Sequence, residues 1–162
     1  MPPLQVKMTS IRSARIEDAG AIARVHVASV EAIETSLYTP EEIESWSRPR
    51  TIANYEELIR TREFLVAEAR NVIVGFGVLN PATFVIEAVY VDPTASGQGI
   101  GMELMRKLEA RAAVLGIKQL HLNASLNAVP FYRKAGYSGD VQQKYKLQTG
   151  IEIACVPMSK II

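Results

Sequence analysis

Three glycines at alternate positions, Gly97, Gly99 and Gly101, separate an apolar stretch from a run with helical spacing. Residues 84–91 (FVIEAVYV) are apolar and β-branched apart from Glu87, and Asp92-Pro93 ends them. After the glycines, Met102, Leu104, Met105, Leu108 and Ala112 recur at helical period. The pattern predicts strand, glycine turn, helix. A helix that begins in glycines presents unpaired backbone N–H groups and the positive end of its dipole, which together hold an anion, most naturally phosphate. Two familiar phosphate loops do not fit. No Lys-Ser or Lys-Thr pair follows the glycines, and the dinucleotide fingerprint G-x-G-x-x-G meets Met102 at its third glycine. A tight turn before a core helix accounts for the glycines alone. Glu87 is the other residue that could do chemistry here: a glutamate inside an apolar strand is a candidate general base with a raised proton affinity.

With its surroundings, the segment VDPTASGQGIGMELM resembles the acyl-CoA-binding segment of the GNAT family of N-acetyltransferases. That family's pattern, [RQ]-x-x-G-x-[GA] after a strand, falls on Ser96-Gly97-Gln98-Gly99-Ile100-Gly101, with Ser96 replacing the usual Arg or Gln. A second segment, LHLNASLNAVPFYRKAGY (residues 120–137), is similar to the family's later strand-helix segment, with its Phe-Tyr pair, basic helix and Gly-Tyr stop. The resemblance implies an α/β (α+β) fold. Its sheet would be mixed and mostly antiparallel, of about seven strands flanked by helices, with a central parallel pair that splays apart. The pantetheine arm of the coenzyme would lie in that wedge.

The implied activity is direct transfer of an acetyl group from acetyl-CoA, a cosubstrate, to a primary amine of a small-molecule or peptide acceptor. The backbone of Val89, Tyr90 and Val91 would face pantetheine as a neighbouring strand would. An N–H there could also polarise the thioester carbonyl. Residues 97–102 (Gly97, Gln98, Gly99, Ile100, Gly101 and Met102), with Ser96 beside them, would hold the pyrophosphate. Tyr132 matches the tyrosine that donates a proton to the departing thiolate; the plain alternative is a core aromatic beside Phe131. Asn127 would contact the coenzyme or cap its helix, since Ser125 stands where the family often has asparagine. An amine of pKa roughly 10.4 is almost wholly protonated at pH 7, so a base is needed, and Glu87 is the candidate. Trp46 and Tyr38 could line the acceptor pocket. Glu31, Glu34, Glu41, Glu42 and Glu44 make that side acidic, which would favour a cationic amine, although a solvated helix face explains them as well. The rival in another class is a module that senses acyl-CoA without turnover; a nucleotide-binding oxidoreductase is more distant.

The elements that must position these residues can be traced in order. Residues 11–15 predict a first strand and 17–35 a helix with Ile22, Val25 and Ala28 inward, leaving His26 on the polar side. Thr39-Pro40-Glu41-Glu42 is a capping box opening a helix to Trp46. A break over 47–51, with Pro49, precedes a helix over 54–62. Residues 63–70 and 72–80 predict strands joined at Arg70-Asn71, with Gly75 and Gly77 marking a bulge or bend. The glycine-led helix ends near Gly116. Residues 117–124 return parallel to 84–91, because a helical crossover joins them. Asn127 is the expected N-cap of the next helix and Gly136 its stop. Strands over 141–148 and 151–159, with a hairpin at Thr149-Gly150, complete the chain.

Composition sets the bounds. The chain has 162 residues, 48% hydrophobic and 22% charged, as expected of one globular domain spanning 1–162. Lys and Arg total 18 against 17 Asp and Glu, which gives no case for nucleic acid or a membrane surface. One cysteine, Cys155, excludes an internal disulfide, and its apolar setting predicts a buried thiol. Two histidines and this cysteine lie far apart, so no metal site is expected. No apolar run approaches the roughly 20 residues of a membrane span. The first residues, MPPLQVKMTS, lack the apolar core of a signal peptide, and a cytoplasmic setting is the expectation. A homodimer through an edge strand or the final hairpin is plausible.

Overall fold

The structure is a computed structural model that describes residues 9–48 and 50–162. The expectations for residues 1–8 and for Pro49 lie outside them. Seven strands form one sheet in the order β1-β2-β3-β4-β5-β7-β6: β1 is Thr9–Ser13, β2 Glu63–Ala69, β3 Val72–Asn80, β4 Val85–Val91, β5 Gln119–Ser125, β6 Gln143–Lys146 and β7 Glu152–Ile161. Every pairing is antiparallel except β4 with β5. The helices are α1 (Ala19–Glu31), α2 (Pro40–Ser47), α3 (Ile52–Thr61), α4 (Ile100–Val114) and α5 (Val129–Lys134). Element order and the single parallel pair agree with the sequence reading.

Alternation along the strands divides the core in two. Leu65, Ala67, Leu79 and Ile86 face α4 and meet Leu104, Met105 and Leu108. Phe64, Val66, Phe76 and Val78 face the opposite way and meet Ile22 and Val25 of α1 and Tyr55 of α3. Gly77 is where α4 presses closest: a Cβ there would stand 2.9 Å from Leu108 Cδ1. The glycines of β3 therefore make room for a helix. Register slips do occur in this strand, opposite the step between Ala67 and Glu68 and between Val78 and Leu79. The second leaves Glu87 as the extra residue between Ala88 and Ile86, a β-bulge in β4.

Several boundaries differ from expectation for local reasons. Phe84 is a turn residue with φ 61°, 46% exposed, so β4 starts one residue later. The first helix stops at Glu31, four residues early, after opening from a 3-10 turn at Ile16–Asp18. Thr51 rather than Asn54 begins α3, its hydroxyl accepting from the Asn54 N–H. The Thr39–Glu42 capping box forms as read. Arg70 and Asn71 both take positive φ, the twist a two-residue hairpin needs. Asn127 does not cap α5: it sits inside a 3-10 turn, Leu126–Ala128, and the cap position falls to Ala128 with no side-chain bond. The edge strand β6 is exposed throughout and carries Lys144 and Lys146, a residue type that discourages further strand pairing.

Candidate active site

β4 and β5 share one register pair, Val85 with His121, reinforced by the His121 N–H donating to the Phe84 carbonyl at 2.9 Å. Beyond it no β5 residue pairs with β4 among the described residues. Val89, Tyr90 and Val91 keep their β3 partners, Gly77, Phe76 and Gly75, but have no strand on the other side. The two strands therefore diverge into a wedge. One exposed carbonyl is already used: Ser29 Oγ donates to the Val91 oxygen at 2.9 Å. A cavity of about 190 Å³ fills the wedge, lined by residues 86–91 from one strand, by Asn123 and Ser125 from the other, and by Asn127 and Tyr132.

Tyr132 reaches this cavity because β5 runs into the 3-10 turn and then into α5. The helix ends where Gly136 takes φ 99° and the Tyr137 N–H returns to the Tyr132 carbonyl. Phe131 packs edge-on against Tyr132, centroids 5.0 Å apart, and lies over Gly101, whose Cβ would sit 3.2 Å from Phe131 Cε2. Tyr132 is thereby locked against the start of α4. It is buried, and its hydroxyl has no protein hydrogen bond among the described residues. Burial, with Tyr90 adding to it, pushes the phenol above its usual pKa.

At the start of α4, Gly97 and Gly99 both have positive φ, 76° and 79°, and Gly99 is the N-cap. Nothing lies within 4 Å of a Cβ built on Gly99, so its left-handed conformation faces open space. The first helical bond runs from the Glu103 N–H to the Gly99 carbonyl. The amides of Ile100, Gly101 and Met102 are left pointing out of the helix end. Ile100's side chain is buried in the core, so only its backbone can serve a ligand. The Ser96 hydroxyl donates back to the Pro93 carbonyl at 3.1 Å, and Gln98 is exposed.

A larger cavity, about 480 Å³, opens on the other side of β4. Trp46, Ile86, Glu87, Ala88, Tyr90, Asn123 and Ser125 border both spaces. Glu87 thus stands at their junction. It is not enclosed by apolar side chains: its carboxylate is 34% exposed and pairs with the Arg62 guanidinium. Trp46 does line the larger cavity, its indole N–H donating to the Tyr90 hydroxyl at 3.1 Å. Burial pushes Tyr90 up to about 12, partly offset by that N–H. Tyr38 does not line it. Its hydroxyl donates to the Ala154 carbonyl at 2.6 Å and accepts from the Leu126 N–H at 2.9 Å, buttressing Trp46 from behind.

The sequence reading missed much of this cavity's wall. His26 turns inward rather than lying on the polar side of α1, because α2 and α3 cover that flank. Its Nδ1 is 2.9 Å from the Tyr55 hydroxyl, and burial, helped by Arg50, lowers its pKa to about 4. Tyr55, Arg48 and Arg50 also line the space. By contrast Glu31, Glu34, Glu41, Glu42 and Glu44 contribute nothing to either wall. Cys155, 5% exposed, borders the larger cavity, with its thiol pushed up by burial. The Arg48-Pro49-Arg50 run was the one sequence signal for a charged wall.

The family model described as the acetyltransferase (GNAT) domain matches residues 34–162. No curated protein matches the chain. Among solved structures, it resembles a GCN5-related N-acetyltransferase from Rhodopseudomonas palustris, with TM-score 0.88 and 29% identity over 96% of each chain. The PaiA N-acetyltransferase from Thermoplasma acidophilum, in complex with coenzyme A, follows with TM-score 0.79 and 22% identity over 95% of this chain and 99% of that one. A phosphinothricin acetyltransferase from Sinorhizobium meliloti, in complex with acetyl-CoA, gives 0.73 and 20% over 96% and 89%.

Proposed function

Because this chain belongs to the GNAT acetyltransferase family, we propose that it moves an acetyl group from acetyl-CoA directly to a primary amine. The observation that carries this reading is the junction of two cavities at the edge of β4, with Tyr132 on the wedge side and Glu87 between them. Similar structures hold coenzyme A and acetyl-CoA. The residues fit such a ligand: an open strand edge for its amide-bearing arm, and outward amides with open space at Gly99 for its phosphates. Acetyl-CoA supplies an activated carbonyl and a thiolate leaving group.

The protein's part is placement and proton handling. Holding amine and thioester at one junction makes the reaction effectively unimolecular, worth several kcal/mol of barrier in well-aligned systems. The β4 amides of Val89 and Val91, which face away from β3, point hydrogen-bond donors into the wedge, where developing negative charge needs them, while Tyr90 pairs back with Phe76. Glu87 takes the ammonium proton, directly or through water. His26 is a poorer base, since an imidazole of pKa about 4 holds a proton weakly and its Nδ1 is occupied by Tyr55. Tyr132 stays neutral at every physiological pH and offers its O–H to the thiolate. With its phenol pushed up, complete transfer to a thiolate is uphill, so Tyr132 works as a hydrogen-bond donor while solvent delivers the proton later. No covalent acyl-cysteine route is supported, since burial holds Cys155 as the thiol.

The test is calorimetric titration with acetyl-CoA, with NADH as control, followed by an amine screen reading thiol release. Acetyl-CoA binding with acceptor-dependent release supports the transferase. Binding without release from any amine favours a sensing module. No binding returns the glycine turn to plain structure.

A further inference from the structure

The wall of the larger cavity is cationic where the sequence led us to expect acidity. Arg50 lines it from the chain between α2 and α3, and Arg48 from the end of α2. Among the described residues Arg50 has no carboxylate within 4.0 Å, and Arg48 reaches only Glu44, at 3.8 Å between well-exposed side chains. Among the described residues the one carboxylate in the wall, Glu87, is already matched by Arg62. Arg50's charge is felt inside: it disfavours protonation of His26 and opposes the rise of the Tyr55 pKa. Much of the remaining wall is aromatic, with Trp46, Tyr55, Phe64, Phe76 and Tyr145.

This chamber suits one kind of molecule. At about 480 Å³ it is of small-ligand size. Aromatic faces receive an apolar or flat body. A guanidinium without a partner binds a planar carboxylate by two parallel N–H bonds. Resting on the transferase reading above, we propose that the acceptor is an amine of amino-acid size bearing a carboxylate on an apolar or aromatic body. The carboxylate sits on Arg50 with Arg48 beside it, and the amine lies at the junction next to Glu87. A polyamine is disfavoured, because its further ammonium groups would face two guanidiniums.

The experiment uses the full chain and matched acceptors: phenylalanine and leucine, their amides, phenethylamine and spermidine, with thiol release as the readout. The free carboxylates are expected to have the higher kcat/KM, by about tenfold or more, as a charged hydrogen bond implies. Arg50→Ala should raise KM for phenylalanine roughly 10–100-fold, leave kcat within about threefold, and erase the preference over the amide. Arg50→Lys should restore part of it. Equal or better use of the amide, phenethylamine or spermidine overturns the proposal, as does failure of every panel member in a protein that binds acetyl-CoA. A second arm does not depend on turnover: calorimetry of N-acetylphenylalanine and its amide without coenzyme. Carboxylate binding lost in Arg50→Ala supports the site even if acetyl-CoA does not bind and the transferase reading falls. Equal binding of acid and amide overturns the site even if the transferase reading stands.

Discussion

Glu87 and Arg62 form an ion pair across the β4 bulge, Nε of one to Oε1 of the other. Because Glu87 is the extra residue of the bulge, its carboxylate is carried out of the ladder to the rim shared by both cavities. Glu87→Gln keeps the shape and an acceptor for Arg62 but cannot take a proton. Turnover should fall by about 10²-fold or more, with acetyl-CoA affinity unchanged. Stability should change by less than about 1 kcal/mol, the ordinary worth of a partly exposed pair. Arg62→Gln is the companion: it removes the guanidinium that holds the carboxylate at the rim, so turnover should fall while acetyl-CoA affinity is unchanged. If both variants keep wild-type rates, the pair is structural only.

Tyr132→Phe removes one hydroxyl that no protein group satisfies among the described residues. Nothing buried is orphaned by its loss, so the melting temperature should hold. The rate should drop roughly 10²–10³-fold in kcat, the worth of one donor aimed at developing charge. Since burial pushes this phenol above its usual pKa, its ionised form is absent through pH 10. The wild-type rate should therefore rise with pH toward 10 as the acceptor amine deprotonates, with no descending limb from Tyr132. A descending limb centred below pH 10 that vanishes in Tyr132→Phe would contradict the burial argument.

Gly99→Val tests the helix end. With φ 79°, a β-branched side chain there is strained by about 1–2 kcal/mol, and more than Gly99→Ala. Among the described residues no atom within 4 Å opposes its Cβ, so the fold should survive. The side chain would occupy the space in front of the Ile100–Met102 amides, and acetyl-CoA binding should be lost. Circular dichroism melts beside calorimetry separate the two effects. A folded variant with undiminished coenzyme affinity would remove the phosphate role from this turn.

What could be read in advance follows from how local the determinants are. The strand, glycine turn and helix at 85–114 are set by β-branching, glycine conformation and apolar period within a few residues, and they were legible apart from the strand's first residue. So was the Thr39–Glu42 cap, a four-residue motif. The larger cavity was not, because it is assembled from α1, α2, α3 and β4 at long separation. His26 is the instructive case. One helical period puts it off the sheet-facing stripe of Ile22 and Val25, yet α2 and α3 cover that second flank and bury it. Helical period identifies one face, and α1 has two. The acidic residues misled for the opposite reason: they are numerous in and between α1 and α2, but none of them lines the cavity, while Arg48 and Arg50, in the connection after α2, reach the wall.

His26 should leave its mark on stability against pH. Its pKa is lowered to about 4 from 6.5 by burial first and by Arg50 second, while its contact with the Trp46 backbone works the other way. Tyr55 and Tyr90 face the same ring and remain neutral in this range. Between pH 6.5 and 4 the unfolded chain binds a proton at this position and the folded chain does not, so folding stability must fall as pH drops through that window. The slope cannot exceed about 1.4 kcal/mol per pH unit from one group. Asp18, held low by Arg12, contributes only below that window, as its carboxylate protonates more readily in the unfolded chain near pH 3.8. His26→Asn retains an acceptor for the Tyr55 hydroxyl without a titrating ring. Urea unfolding at a series of pH values should show the variant less stable at pH 7 by about 1–2 kcal/mol, from lost packing and a strained contact, but flatter between pH 6.5 and 4. The two curves should converge below pH 6.5 and cross before pH 4, since a shift from 6.5 to about 4 removes about 3 kcal/mol from the wild type. Parallel curves would mean that the imidazole titrates in the folded protein as it does in water, and that the cavity around it is wetter than its walls indicate.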